Sequence, residues 1–211
     1  PGTAAGADTF PTKLSETGCF EKTDPKKPVA AMIPFAPTAE LWSDGAEKSR
    51  WLALPDGKTI DLQADGDFDF PIGAVLAKEF RLGGKRVETR LFMRHADGGW
   101  GGYSYEWNDA ETEATLLPAG KTKQVGGQTW TYPNRAQCMQ CHTTAAGRSL
   151  GPEVQQLNAN YVYTATNRRS NQLAIAPSSR LLASVGVTVV GVSVDSFASR
   201  SEDLADAGGA V

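Results

Sequence analysis

Cys138-Met139-Gln140-Cys141-His142 gathers two of the chain's three cysteines and one of its two histidines into five residues. C-x-x-C-H is the pattern through which a c-type haem is attached. Two thiols three residues apart match the two vinyl groups of the porphyrin, and the adjacent imidazole then lies under the iron as axial ligand. A thioredoxin-like redox pair also reads C-x-x-C, but it opens a helix in a βαβ unit and needs no histidine. A structural zinc site needs four donors, and outside the motif only Cys19 and His95 remain to complete one. One covalent haem c, held by Cys138 and Cys141 with His142 as proximal ligand, is the expectation.

Thioether attachment is made outside the cytoplasm, so the chain is expected in the periplasm or at the cell surface, with its export signal removed. The first eight residues are small and polar, without an apolar core of the kind a signal peptide carries. Cys19 has no cysteine left to pair with and reads as a small buried hydrophobe.

A haem needs a scaffold, and the scaffold signal is strand-like. Gly and Pro number 22 and 12 among 211 residues, and from residue 49 they punctuate alternating apolar and polar runs about every ten residues. Strands are expected at 50–54, 59–62, 74–82, 88–95, 100–107, 112–117 and 128–132. Pro55-Asp56-Gly57, Gly83-Gly84 and Asp97-Gly98-Gly99 mark turns between them. The fold class is mainly β with short helices (α+β), an antiparallel sheet or open barrel followed by a helical and loop segment that carries the haem motif. Residues 1–10 read as a flexible lead-in, 11–195 as one haem-binding domain, and 196–211 as a tail. Within the domain, 11–48 form a loop-rich wrap with a helical turn in 39–48, 49–132 the strands, and 133–182 the haem motif. Short helices are expected at 136–144, 151–158 and 170–182, and one more strand at 185–194.

Alternation along strands sorts side chains by face. In 74–82 the apolar side carries Leu76, Phe80 and Leu82 together with Lys78, whose amine either snorkels to an edge or reaches the haem. In 89–95 one side carries Leu91, Met93 and His95. His95 is the expected distal ligand and Met93 the alternative, with Met32, Lys78 or an open position remaining. A second histidine usually gives a lower potential than a methionine. Tyr105 and Trp107, with Tyr103, share a face expected to wall the pocket. Arg135 and Arg148, near the haem cysteines, are expected to meet the propionates ahead of Arg90 and Arg94.

The formal net charge is −3, with 40% hydrophobic and 21% charged residues. Both charge signs are interspersed, which excludes the basic stripe of a nucleic-acid binder. The longest apolar run, 185–194, is too short and too interrupted to span a membrane as a helix. With two histidines, one assigned, acid–base enzymology has little to work with.

Several blocks in order resemble a family of mostly uncharacterised periplasmic c-type cytochromes. They are Lys13-Leu14-Ser15-Glu16-Thr17-Gly18, Leu41-Trp42-Ser43-Asp44-Gly45-Ala46-Glu47-Lys48, Phe70-Pro71-Ile72-Gly73 through Lys78, and Glu88-Thr89-Arg90-Leu91. The series continues with Tyr105-Glu106-Trp107-Asn108, Pro133-Asn134-Arg135-Ala136-Gln137 into the haem motif, Leu157-Asn158 and Asn171-Gln172-Leu173. The resemblance covers about residues 11–175. Some relatives carry a second haem domain or are joined to a sugar-dehydrogenase-like propeller, which implies passage of electrons from periplasmic oxidations. With a single C-x-x-C-H here, the monohaem version is the expectation. The layout is also similar to the β-sheet haem enzymes that cross-link a lysine to the porphyrin and to cytochrome c′-beta, an analogy in which Lys78 takes the cross-linking position. The implied function is electron transfer by a monohaem cytochrome, with redox partner proteins as donor and acceptor, among them a dehydrogenase or a larger cytochrome complex. The alternatives are a five-coordinate haem enzyme or gas binder with hydroxylamine or NO chemistry, and a structural subunit of an electron-transfer complex.

Overall fold

A computed structural model of the chain describes residues 10–174. Its strands in chain order are β1 (Ile33–Pro34), β2 (Glu47–Ala53), β3 (Asp61–Leu62), β4 (Phe68–Asp69), β5 (Val75–Leu82), β6 (Lys85–Arg94), β7 (Trp100–Trp107), β8 (Ala114–Leu116), β9 (Lys121–Val125) and β10 (Gln128–Tyr132). Helix α1 (Arg135–Cys141), helix α2 (Val154–Leu157) and a last hairpin, β11 (Asn160–Tyr163) and β12 (Arg168–Asn171), follow. The body is one six-stranded sheet in the order β1-β2-β5-β6-β7-β8, antiparallel at every pairing, with a single bridge from Lys13 to Thr115 on the outer side of β8. The chain is thus mainly β with short helices, and the sheet does not close into a barrel. Among the described residues no helix is long and apolar enough to cross a membrane.

Glycine builds the central hairpin. Gly83 and Gly84 adopt φ of 56° and 78°, a left-handed pair of the kind that matches strand twist in a two-residue loop. β5 and β6 therefore register directly, Val75 opposite Met93 and Lys78 opposite Arg90, until an irregularity at Phe80/Arg81.

Both faces of the sheet are covered, which is why β6 is almost continuously buried instead of alternating. The first face carries Trp51, Val75, Ala77, Leu91, Met93, Tyr103, Tyr105 and Trp107, and the N-terminal wrap lays Leu14, Cys19, Phe20 and Met32 over it. The second face is covered at its two ends. At one end Leu52, Leu76 and Trp100 meet Phe35, Ile60, Phe68, Phe70 and Leu157. At the other, Phe80 and Val87 meet Trp130 and Tyr132 of the β9–β10 hairpin. Burying a side chain of this size contributes about 1.5–3 kcal/mol each.

The expected strands at 100–107 and 128–132 are present as stated, and those at 50–54, 74–82, 88–95 and 112–117 are present with shifted ends. Residues 59–62 do not return to pair with β2. β2 pairs with β5 instead, and Asp61–Leu62 pairs with Phe68–Asp69, because Ile60 is drawn into the cluster of Phe68 and Phe70. The helical turn expected in 39–48 is absent: Asp44 and Gly45 take φ of 51° and 73°, which ends any right-handed turn before β2. The helix expected from residue 170 begins instead as β12 and a short 3-10 turn. There Gln172 bonds through its side chain to both the N–H and the C=O of Ala36, at 2.8 Å each, fastening the end of the described chain to the wrap. The strand at 185–194 and the two terminal segments lie outside the described residues, apart from Phe10.

Candidate functional site

Helix α1 exists because its start is capped from both sides. The Asn134 side chain accepts from the Gln137 N–H at 2.8 Å, and the Gln137 side chain accepts from the Asn134 N–H at 2.9 Å. Such a capping box satisfies two otherwise orphaned donors and is worth about 1 kcal/mol. It also fixes where the first cysteine falls. α1 packs along the stretch of β7 not paired with β8, and Ser104 donates to the carbonyl of Pro133 at 3.1 Å.

Cys138 settles onto the second face of the sheet at Gly102. A Cβ at that glycine would stand 2.7 Å from the Cys138 Sγ and 2.8 Å from its Cβ. The missing side chain is the space that the cysteine occupies. Cys138 is half-buried, Cys141 is exposed, and neither is in a disulfide. Burial raises the Cys138 thiol pKa above its ordinary value.

His142 ends the helix. Its Nδ1 lies 2.6 Å from the carbonyl oxygen of Arg148, and because a carbonyl only accepts, Nδ1 carries the proton. Nε2 is left with its lone pair free to coordinate. Burial lowers the imidazole pKa, opposed by the hydrogen bond to the Arg148 backbone and supported by the charges of Lys78, Arg90 and Arg148. The ring lies over Phe92 at 4.2 Å between centroids, and Phe92 in turn stacks on Trp100 at 4.8 Å. The residues present fit a covalent haem: two free thiols on one helix, a cradle cut for one of them, and an imidazole whose second nitrogen is held by a backbone acceptor. They fit a zinc site less well, because Cys19 is buried in the first-face cluster and His95 bonds across that same face.

The structure divides the other expected site residues by face. Lys78, Arg90, Phe92 and Gly102 lie with Cys138 and His142 on the second face. Met93, Met32, Tyr105 and Trp107 lie in the first-face cluster, on the far side of the sheet. His95 is there too, its Nε2 2.8 Å from the Tyr103 hydroxyl, and a Cβ at Gly101 would strike both groups. His95 and Met93, the expected distal ligands, thus lie on the face of the sheet away from His142. They share a face with Leu91, whereas His142 meets Phe92, one residue out of phase. Tyr105 and Trp107, expected to wall the pocket, lie on that same face. The Tyr105 hydroxyl donates to the Pro11 carbonyl at 2.8 Å and the Trp107 indole to Thr89 at 3.0 Å, so both serve the core.

The arginines are also reassigned. Arg148, at φ 64°, donates to the His142 carbonyl at 2.9 Å and to the Thr144 hydroxyl at 2.6 Å, closing the loop that presents its own carbonyl to the imidazole. It positions His142. The Arg135 guanidinium lies 4.7 Å from the Tyr103 ring centre, toward the first face. Arg94 bonds Asp69 and the Phe70 carbonyl. Arg90 reaches the site side.

Phe92 and Gly102 were missed as site residues by sequence reasoning. The signal for Gly102 was present: a glycine pair inside a strand marks close approach of another group. No family model, curated protein or solved structure matches this chain.

Proposed function

We propose that the protein is a monohaem c-type cytochrome that transfers electrons outside the cytoplasm. The observation that supports this most strongly is the His142 Nδ1 contact with the Arg148 carbonyl, made from the same short helix that displays Cys138 and Cys141. Haem c bound there supplies a one-electron couple. The chain's part is to hold His142 in one tautomer, to keep Cys138 seated against Gly102, and to shield one side of the imidazole with Phe92 and Trp100. Apolar and aromatic walls exclude water, and the nearby cations Lys78 and Arg90 favour the more electron-rich state. Redox partner proteins, a dehydrogenase or a larger cytochrome complex among them, are the proposed donor and acceptor.

A second reading is a five-coordinate haem enzyme or gas binder. It is favoured by one observation: Met32, Met93 and His95 all lie on the face away from His142. Lys78 is the one expected distal group on the same face. The reduced protein in the presence of carbon monoxide separates the readings. A sharp low-spin α band that carbon monoxide leaves unchanged is the result expected for electron transfer. Immediate carbon monoxide binding overturns it in favour of the second reading.

A further inference from the structure

The second face of the sheet carries an unbalanced row of cations beside His142. Arg50, Lys78 and Arg90 are direct cross-strand partners on β2, β5 and β6, so their side chains rise from neighbouring positions on one face. Lys48 lies two residues along β2 on that face. The Arg50 and Lys48 side chains are 8% and 6% exposed. Like charges placed directly opposite each other across strands are destabilising, and burial deepens the cost.

Among the described residues, two carboxylates pair with these four cations. Glu40 is shared by Arg50 at 3.1 Å and Lys48 at 3.8 Å, and is itself 47% exposed. Glu88 is fully taken, accepting both guanidinium bonds of Arg90 at 2.8 Å and the Trp130 indole at 3.0 Å. Among the described residues Lys78 makes no ion pair or hydrogen bond, Glu40 acting on it only from farther away; its ammonium lies 4.9 Å from the Phe80 ring centre. Burial and then the charges of Arg50, Arg90 and Lys48 lower its pKa to about 8, against the opposing charge of Glu40.

We propose that Lys48, Arg50, Lys78 and Arg90 form an anion site that receives a carboxylate or small oxyanion beside the Cys138–His142 segment. Lys78 provides the unpaired point charge, and Arg50 and Arg90 provide planar donors on either side. Two sources carry this chemistry: the carboxylates of the bound haem itself, or a free anionic ligand such as nitrite or phosphate. The inference rests on the haem reading for the first source, while the cation row stands without it.

The test uses the full chain as isolated from a periplasmic expression host, in parent, Lys78→Met, Arg50→Met and Lys78→Arg forms, with Lys22→Met as a surface-charge control. Intact mass first records whether haem is attached. Nitrite and phosphate are then titrated calorimetrically at low ionic strength, and midpoint potential is followed against pH for any haem-bearing form. A free-anion site gives saturable binding that weakens at least about tenfold in Lys78→Met and Arg50→Met and recovers in Lys78→Arg. A site filled by the haem carboxylates gives no free-anion binding, but the potential–pH curve of Lys78→Met and Arg50→Met is displaced from the parent, and that of Lys22→Met is not. The proposal is overturned if no anion binds and the curves superimpose. Should no haem be attached, the haem reading fails, and the calorimetric arm alone decides the cation row.

Discussion

Replacing Gly102 with alanine should unseat Cys138 while leaving the rest of the sheet intact. Gly102 is not in the left-handed region, so alanine costs nothing in backbone strain, and the effect is one of contact alone. The new Cβ would lie 2.7 Å from Sγ and 2.8 Å from Cβ of Cys138. Ordinary carbon contacts begin near ~3.5 Å, so the cysteine must retreat by roughly 0.8 Å. Cys138 sits in a capped helix, so that retreat has to be taken by α1 as a whole or by its packing on β7. Overpacking of this kind costs about 1–3 kcal/mol, a fall of roughly 2–12 °C in Tm for a chain of this length. The adjacent Gly101→Ala is the matched control. Its Cβ meets His95 and Tyr103 on the opposite face, so it should cost stability without disturbing haem attachment. Intact mass and the alkaline pyridine spectrum of the reduced protein report how many thioether bonds have formed. We expect Gly102→Ala to show a fraction of chains with one thioether or none, and Gly101→Ala to match the parent. Full two-thioether attachment and an unchanged melting curve in Gly102→Ala would refute the placement of Cys138.

Glu88→Ala strips Arg90 and Trp130 of their shared acceptor, and since the Arg90 side chain is 32% exposed, the loss should fall at the low end, about 3 kcal/mol, read as a lower Tm by thermal denaturation. Cys19 is buried and its thiol pKa is pushed up to about 12, so iodoacetamide should label it only after denaturation; rapid labelling of the native protein would show the wrap over the first face to be loose. Burial holds His95 below the usual imidazole value, against Asp97 and with Arg135, so the unfolded chain takes up its proton first. Stability should therefore fall as pH drops through 6.5 toward the lowered folded value and then level off. The difference between parent and His95→Gln melting curves isolates that share, since His142 is common to both, and superimposable curves would remove it.

The motif and most of the sheet were legible because each rests on local chemistry. Cys138, Cys141 and His142 are five consecutive residues' worth of information, and the turns at Asp56-Gly57, Gly83-Gly84 and Gly98 name their own conformation. The long strands followed from the period between those turns. What alternation could not reveal was which face met the motif. β6 is buried on both sides, so Leu91 and Met93 are as apolar as Phe92, and nothing in that strand alone separates the core side from the haem-motif side. The choice is made by α1, which crosses β7 at Gly102 and commits Cys138 and His142 to the side of Phe92 and Lys78. Arg148 has a second role that its position in the sequence did not reveal. Its closeness in sequence to His142 marked it as important, and its left-handed backbone brings its carbonyl to the imidazole while its guanidinium bonds the His142 carbonyl. Lys48 and Arg50 came to stand on the same face as Lys78 through the long-range pairing of β2 with β5, which replaced the short hairpin that local turn signals favoured.

The central claim is that Cys138 and Cys141 carry a haem whose proximal ligand is His142. Intact mass of the protein exported through a periplasmic haem-attachment system, taken after acid-acetone extraction, tests it most directly. The account requires a mass equal to the polypeptide plus one haem, unchanged by extraction, and loss of that haem in Cys138→Ala with Cys141→Ala. A bare polypeptide, or one lighter by two hydrogens through a Cys138–Cys141 disulfide, would contradict it.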